Sequence, residues 1–133
     1  MYIFDITVIS AVRRPDRAPQ VAAWLRERPE AELFLSVVTI GEIERGIAQQ
    51  ERRDPGFAVD LRLWLDRTVL IFADRILPFD SAAARIWGRL SQRIGHNGAD
   101  LLIAATALSH DATVVTANTT DFVPTGVRLE NPF

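Results

Sequence analysis

Short apolar segments alternate with longer amphipathic segments along the whole chain. The short segments are rich in β-branched and aromatic residues, which favours strands. They predict strands at Tyr2–Phe4, Leu33–Val38, Ile76–Phe79, Thr113–Thr116 and Val127–Leu129. Pro78 cannot donate a backbone hydrogen bond, so the third strand is expected at an edge of the sheet or to end at this residue.

The segments between the strands carry apolar residues three and four positions apart, a spacing typical of helices. They predict helices at Val8–Val12, Ala18–Arg28, Ile40–Arg52, Phe57–Leu70, Ser81–Ile94 and Ala99–His110, and a loop at Asn118–Phe122. Thr39 and Glu42 have the spacing of a capping box at the start of the third helix. Strands connected by such helices form parallel sheets through right-handed crossovers. We therefore expect a three-layer α/β/α fold with a central, mostly parallel sheet, in one domain spanning residues 1–133.

Composition narrows the class of protein. The chain is 48% hydrophobic and 24% charged, as in ordinary globular proteins, and has no cysteine for disulfides or thiolate metal sites. No apolar run approaches the roughly 20 residues that span a bilayer, so we expect a cytoplasmic protein without a membrane partner. All 15 basic residues are arginine and the formal net charge is −2. A nucleic acid would therefore need a local basic patch.

Acidic residues stand where predicted strands end and helices begin. Asp5 follows the first strand, Glu42 lies in the first turn of the third predicted helix, and Asp100 begins a helix too apolar to be exposed. Sites in open α/β sheets form beyond the carboxyl ends of the strands, where these acids are expected. Each acid taken alone has a purely structural explanation as a helix cap or helix N-terminal acid. Crowded carboxylates disfavour ionisation unless a cation neutralises them, and oxygen ligands suit Mg²⁺ or Mn²⁺.

A second polar segment follows the fourth strand, from Thr116 to Asp121. Asn118 is a natural turn residue as well as a candidate site residue. Asp121 either adds an acid to the same site or caps the turn. These alternatives stay open on the residues alone.

Other enzyme classes lack the residues that they need. A doubly wound phosphohydrolase or phospho-receiver using Asp5 would call for a neutralising lysine, which is absent. No Gly-x-x-x-x-Gly-Lys loop and no Gly-x-Gly-x-x-Gly turn occurs, which argues against P-loop and dinucleotide-binding enzymes. The two histidines, His96 and His110, do not form a zinc-binding motif.

In order and spacing, four motifs and a strand end resemble the PIN-domain ribonucleases, specifically the VapC toxins and their FitB-like branch. The matching segments are Tyr2–Ser10, Leu35–Gly46, Ile76–Asp80, Ala99–Ala107 and Val114–Phe122. The resemblance covers essentially the whole chain. It implies a PIN-like fold and a metal-dependent endoribonuclease, the toxin of a type II toxin–antitoxin system.

The resemblance also implies a role for each candidate residue. Asp5 and Asp100 would hold Mg²⁺ (or Mn²⁺), directly or through water, and Glu42 would orient or deprotonate the attacking water. Asn118 and Asp121 would complete the polar ring. The supporting residues would be Thr7 and Thr116.

Partners follow from the same resemblance. They are an RNA substrate, a second copy in a homodimer, and a VapB-type antitoxin whose C-terminal segment wraps the toxin groove and whose N-terminal part binds operator DNA. Arg13 and Arg14 are candidates for phosphate contacts or a solvated surface pair. The helix faces with Trp24 and Trp64 are either interfaces or plain core.

Departures from the family pattern at Thr7 and Asn118 keep a second function open. Thr7 replaces the usual asparagine, Asn118 stands where aspartate is frequent, and Ala117 stands where arginine is common. The alternative is a catalytically weak or inactive PIN domain that binds RNA or an antitoxin without cutting.

Overall fold

A computed structural model describes all residues, 1–133, as one parallel sheet flanked by helices. The strands are β1 (Tyr2–Phe4), β2 (Leu33–Ser36), β3 (Ile76–Leu77), β4 (Thr113–Val115) and β5 (Arg128–Glu130). The helices are α1 (Ile6–Val12), α2 (Pro19–Arg26), α3 (Val37–Arg53), α4 (Pro55–Phe72), α5 (Ser81–Ile94), α6 (Ala99–Ser109) and α7 (Thr119–Phe122). No helix is long and apolar enough to cross a lipid bilayer.

The strand order β3-β2-β1-β4-β5 places β1 in the middle of the sheet, and all four pairings are parallel. Phe4, the last residue of β1, lies opposite Leu35 and Val115 on its two neighbours. Asp5 directly follows β1 and Thr116 directly follows β4, so these two residues lie level with each other at the end of the sheet. This register defines the carboxyl edge of the sheet, where the predicted site was expected.

Helices cover both faces of the sheet, which confirms the predicted three-layer architecture. Successive side chains of a strand point to opposite faces. Phe4 accordingly packs into a core cluster with α1 to α4, whereas Ile3 packs into a second cluster with α5, α6 and α7. The α6 helix supplies the most uniformly buried surface, as its alanine-rich and leucine-rich sequence predicts.

Several element boundaries differ from the sequence prediction. Helix α3 begins at Val37, because the Ser36 hydroxyl caps it by accepting from the Val38 N–H at 3.0 Å. The predicted capping box is therefore wrong: Thr39 lies inside the helix, fully buried, and its hydroxyl has no hydrogen-bond partner. This shift leaves Glu42 in the second turn of α3, without a capping role.

Helix α4 extends two residues beyond its predicted bounds at each end, and other differences lie at the chain's shorter elements. Residues 119–122, predicted as loop, form the one-turn helix α7, and the last strand runs one residue later than predicted. Helix α1 begins earlier, at Ile6, because Asp5 caps it. The edge position of β3 is confirmed, with Pro78 just beyond its end.

Candidate active site

The Asp5 carboxylate is buried at the carboxyl edge of the sheet, only 3% exposed, and both of its oxygens accept hydrogen bonds from the chain. One oxygen, Oδ1, accepts from the Thr7 N–H at 2.9 Å, the Thr7 hydroxyl at 2.5 Å and the Val8 N–H at 3.4 Å. The other, Oδ2, accepts from the Thr116 hydroxyl at 2.6 Å. A buried carboxylate needs such partners, and they also fix its orientation.

Thr7 and Thr116 link Asp5 to the segment after β4. The Thr7 hydroxyl accepts from the Ala117 N–H at 3.0 Å, and the Thr116 hydroxyl accepts from the Asn118 N–H at 2.8 Å. Each threonine therefore donates to Asp5 and accepts from the same loop. The result is a closed hydrogen-bond network that holds the ends of β1 and β4 in one arrangement.

Glu42 is half-buried on α3, and its Oε1 atom is buried with no hydrogen-bond partner. Burial raises the pKa of the Glu42 carboxyl above its usual value, and the negative charges of Asp100 and Asp5 raise it further. The Arg45 charge opposes this shift. An unpartnered carboxylate oxygen in such a place is costly unless a proton, a cation or a donor from outside the chain satisfies it.

Asp100 lies in the first turn of α6 and is also half-buried. Burial raises the pKa of Asp100, with further contributions from the charges of Asp121 and Asp5, and the nearby His96 lowers it. Asp5, Glu42, Asp100 and Asp121 thus act on one another electrostatically across three helices and a strand end. We call these four residues the acidic cluster.

The donor set of the acidic cluster fits a hard divalent cation, because it offers carboxylate oxygens and no sulfur. No three acidic or histidine side chains lie close enough to ligate one ion together. The predicted roles, in which Asp5 and Asp100 hold the ion and Glu42 acts on the water, stay predictions. Mg²⁺ retains several waters and is commonly held by one or two carboxylates.

The remaining two predicted site residues, Asn118 and Asp121, are both exposed. Asn118 is exposed, precedes α7 and makes no hydrogen bond through its side chain. Asp121 is exposed on α7 and influences Asp100 by its charge. The sequence reasoning missed Ser36, whose capping position sets where α3 begins. The signal for it was a small hydroxyl residue directly after a buried strand.

A groove between α1, α3 and α4 leads away from Glu42. Its lining includes Ile6, Arg13, Phe57 and Trp64. The Arg13 guanidinium lies over the Phe57 ring at 5.3 Å from its centroid, so this arginine is held by an aromatic contact and is not a freely solvated charge. Arg14 makes no such contact. Trp24 and Trp64 are partly buried against the core cluster of α1 to α4.

The raised pKa values predict how stability depends on pH in the metal-free protein. A carboxyl whose pKa is higher in the folded state keeps its proton up to a higher pH there than in the unfolded state. The free energy of unfolding therefore falls as pH rises through that pKa. Glu42→Gln removes one such group. We expect it to be more stable than the wild type at about pH 8, with the difference vanishing below about pH 4.

Urea unfolding in EDTA at both pH values measures this effect. Glu44→Gln is the matched control, because Glu44 is exposed on the same helix and pairs only with Arg62 at the surface. The control is expected to bring no stabilisation. A Glu42→Gln protein less stable than the wild type at pH 8 would contradict the electrostatic description of the site.

Comparison with known proteins identifies the family of this chain and its fold. A sequence profile described as PIN domain matches residues 2–123. Toxin FitB of Neisseria gonorrhoeae is 34% identical, over 100% of this chain and 99% of its own length. VapC ribonuclease Y4jK of Sinorhizobium fredii is also 34% identical, over 100% of this chain and 98% of its own. A chain in the structure of FitAB bound to the IR36 DNA fragment superposes with a TM-score of 0.83 at 33% identity, covering 99% of this chain and 95% of that one.

Proposed function

Because this chain belongs to the PIN-domain family, on the branch that includes the FitB and VapC toxins, we propose that it is the toxin of a toxin–antitoxin pair and an endoribonuclease that depends on Mg²⁺ or Mn²⁺. The observation that carries the metal-dependent part is the acidic cluster. Burial and mutual repulsion raise the pKa of Glu42 and Asp100 there, which is the electrostatic signature of a site that gains from a bound cation.

In this proposal, Asp5 and Asp100 hold the cation, directly or through water. The hydrogen bonds from Thr7 and Thr116 keep the Asp5 carboxylate in one orientation, so little reorganisation is needed when the substrate arrives. A bound divalent cation would supply charge neutralisation at the scissile phosphate and make a water molecule easier to deprotonate.

Glu42 is the group that orients the attacking water and takes its proton. A carboxylate whose pKa is raised is a stronger base than an ordinary one. Its Oε1 atom, although buried, has no hydrogen-bond partner within the chain and so keeps its capacity to accept one. Asn118 and Asp121, both exposed at the rim, complete the polar ring around the substrate.

A cleavage assay on an end-labelled, mixed-sequence RNA tests the proposed activity. Cleavage is expected with Mg²⁺ or Mn²⁺, is expected to stop when EDTA is added, and is expected to return when Mg²⁺ is restored in excess. Fragments that form equally well in EDTA would come from a metal-independent activity and would contradict the proposal. The absence of cleavage under all conditions would also contradict it.

One observation favours a second candidate, a PIN domain that binds RNA or an antitoxin without cutting. The Thr7 hydroxyl donates its only proton to Asp5 and accepts from Ala117. It therefore has no donor left for positioning a water or a phosphate. Under this alternative the same RNA would bind in Mg²⁺ but remain intact.

The proposed antitoxin partner has a suitable place to bind in the groove between α1, α3 and α4. Apolar residues line much of it, and Glu42 of the acidic cluster is also part of its lining. A VapB-type C-terminal segment with an arginine could therefore pair with these acids while its apolar side chains fill the groove. A homodimer remains part of the proposal, and operator DNA would be bound through the antitoxin.

A further inference from the structure

Helix α5 carries three arginines on one exposed face. Arg85, Arg89 and Arg93 are four residues apart, a spacing that stacks side chains along one side of a helix at intervals of about 6 Å. All three side chains are exposed. We call them the arginine stripe.

The arginine stripe has no carboxylate partner. Helix α5 contains no acidic residue, and none of the chain's ion pairs includes one of these arginines. Arg62, one of two exposed arginines of α4, is by contrast paired with Glu44 and Glu51. On a chain of net charge −2, the arginine stripe is thus a local concentration of unneutralised positive charge.

One end of the arginine stripe lies at the end of α5 that leads to Asp100. The Arg93 guanidinium donates to the backbone carbonyl of Pro124 at 3.3 Å, just after the helix that carries Asp121. A short connection, residues 95–98, leads from the end of α5 to Asp100. His96 in this connection is near enough to influence the Asp100 carboxyl by its charge. Helix α5 and helix α3, which carries Glu42, lie on opposite faces of the sheet. The stripe therefore approaches the acidic cluster from the face opposite to Glu42.

The surface between the arginines is open and almost free of apolar side chains. An open depression is lined by Ala84, Arg85, Gly88, Arg89, Gln92 and Arg93. Gly88 is exposed in its middle, and a Cβ atom added there would have no atom within 4 Å. A ligand backbone can thus approach the helix closely between the guanidinium groups.

We propose that the arginine stripe binds the phosphates of the RNA strand that runs to or from the cleaved bond. This inference rests on the proposed function and assigns part of the substrate-binding surface to α5. Guanidinium groups bind phosphate oxygens through two parallel hydrogen bonds. An acidic peptide fits less well, because every nucleotide of an RNA strand carries a phosphate, whereas a peptide would need acidic side chains repeated at matching intervals along the stripe.

Binding of a fluorescently labelled, mixed-sequence single-stranded RNA in EDTA tests the inference without cleavage. Arg85→Gln/Arg89→Gln/Arg93→Gln is compared with Arg26→Gln/Arg53→Gln/Arg67→Gln, a control drawn from exposed arginines of α2, α3 and α4 that form no ion pair. Each variant removes three positive charges from −2 and so has a net charge of −5. Any difference between them therefore reports position and not total charge.

The stripe variant is expected to bind the RNA at least about tenfold more weakly at moderate salt. Its salt dependence, the slope of log K against log salt, should be shallower by about 2, because each lost phosphate contact contributes about 0.7 for a single strand. The control variant should change the slope by less than about 0.5. Arg89→Gln, which breaks no hydrogen bond within the chain, should lower the slope by about 0.7 and serves if the triple variant does not fold.

The outcomes separate this inference from the proposed function. Equal losses in both triple variants would mean a general charge effect and overturn the inference, as would unchanged RNA binding in the stripe variant. A stripe variant that binds RNA normally but loses a purified antitoxin would reassign the surface to a protein partner. A wild type that binds RNA through the stripe but never cleaves it in Mg²⁺ would overturn the proposed function alone.

Discussion

Replacing Asp100 with asparagine is expected to lower the rate of Mg²⁺-dependent RNA cleavage by at least about 10²-fold, the usual effect of losing one strong electrostatic stabiliser. The substitution keeps the shape of the side chain and removes its charge. Asp100 is half-buried among other acids, so water screens its charge poorly. The substitution therefore removes a strong electrostatic interaction with the cation. Initial rates on a labelled RNA at saturating Mg²⁺ measure the effect.

The same substitution is not expected to harm the fold. Burial and the charges of Asp121 and Asp5 disfavour the ionised form of Asp100, so the metal-free Asn variant should be at least as stable as the wild type near neutral pH. Asp66→Asn, on the exposed side of α4, is the matched control and should cleave like the wild type. Equal rates for the wild type and the Asp100→Asn variant would remove Asp100 from the site.

Asp5→Ala is expected to abolish measurable cleavage and, in contrast to Asp100→Asn, to destabilise the fold by about 2–4 kcal/mol. The alanine cannot cap α1, and it leaves the Thr7 N–H and the hydroxyls of Thr7 and Thr116 without their acceptor. Urea unfolding and the RNA assay at a temperature where the variant is fully folded measure the two effects separately.

Asp5→Asn separates the structural role of this residue from its catalytic one. The amide oxygen can still accept from the Thr7 N–H, and the amide nitrogen can donate to the Thr116 hydroxyl, so much of the stability should return. The negative charge does not return, so cleavage should remain at least about 10²-fold below the wild type. An Asp5→Asn protein with wild-type cleavage would restrict Asp5 to the structural role.

The layer architecture was predictable because it depends on periodicity, which is a local property of the sequence. Three of the five strands were placed within one residue at both ends, since buried parallel strands are short apolar runs. The start of α3 was not predictable in the same way. Ser36 and Thr39 are both good caps, and the register with β3, in which Ser36 lies opposite Leu77, shows that β2 extends to Ser36.

The acidic cluster was predictable in its members but not in its detailed geometry. Asp5 follows a strand and Asp100 opens an apolar helix, and both features can be seen in the sequence. The hydrogen bond from Thr116 to Asp5 joins residues 111 positions apart, so it depends on the register between β1 and β4. The distance among the acids likewise depends on how α3 and α6 pack, which no local pattern specifies.

The arginine stripe has a signal in the sequence. Arg85, Arg89 and Arg93 repeat every four residues in a predicted helix without an acid, which indicates one basic face. What the sequence alone could not give is the position of that face beside Asp100. That position depends on the short connection between α5 and α6 and on the contact of Arg93 with Pro124.

The central claim is that the acidic cluster at the carboxyl edge of the sheet binds a divalent cation. Anomalous diffraction from crystals soaked in Mn²⁺ tests it most directly, because manganese can be located independently of the protein density. The expected result is a peak beside the carboxylates of Asp5 and Asp100, with water completing its coordination. Manganese bound elsewhere in the protein, with none at this edge in crystals where the edge is open to solvent, would contradict the claim.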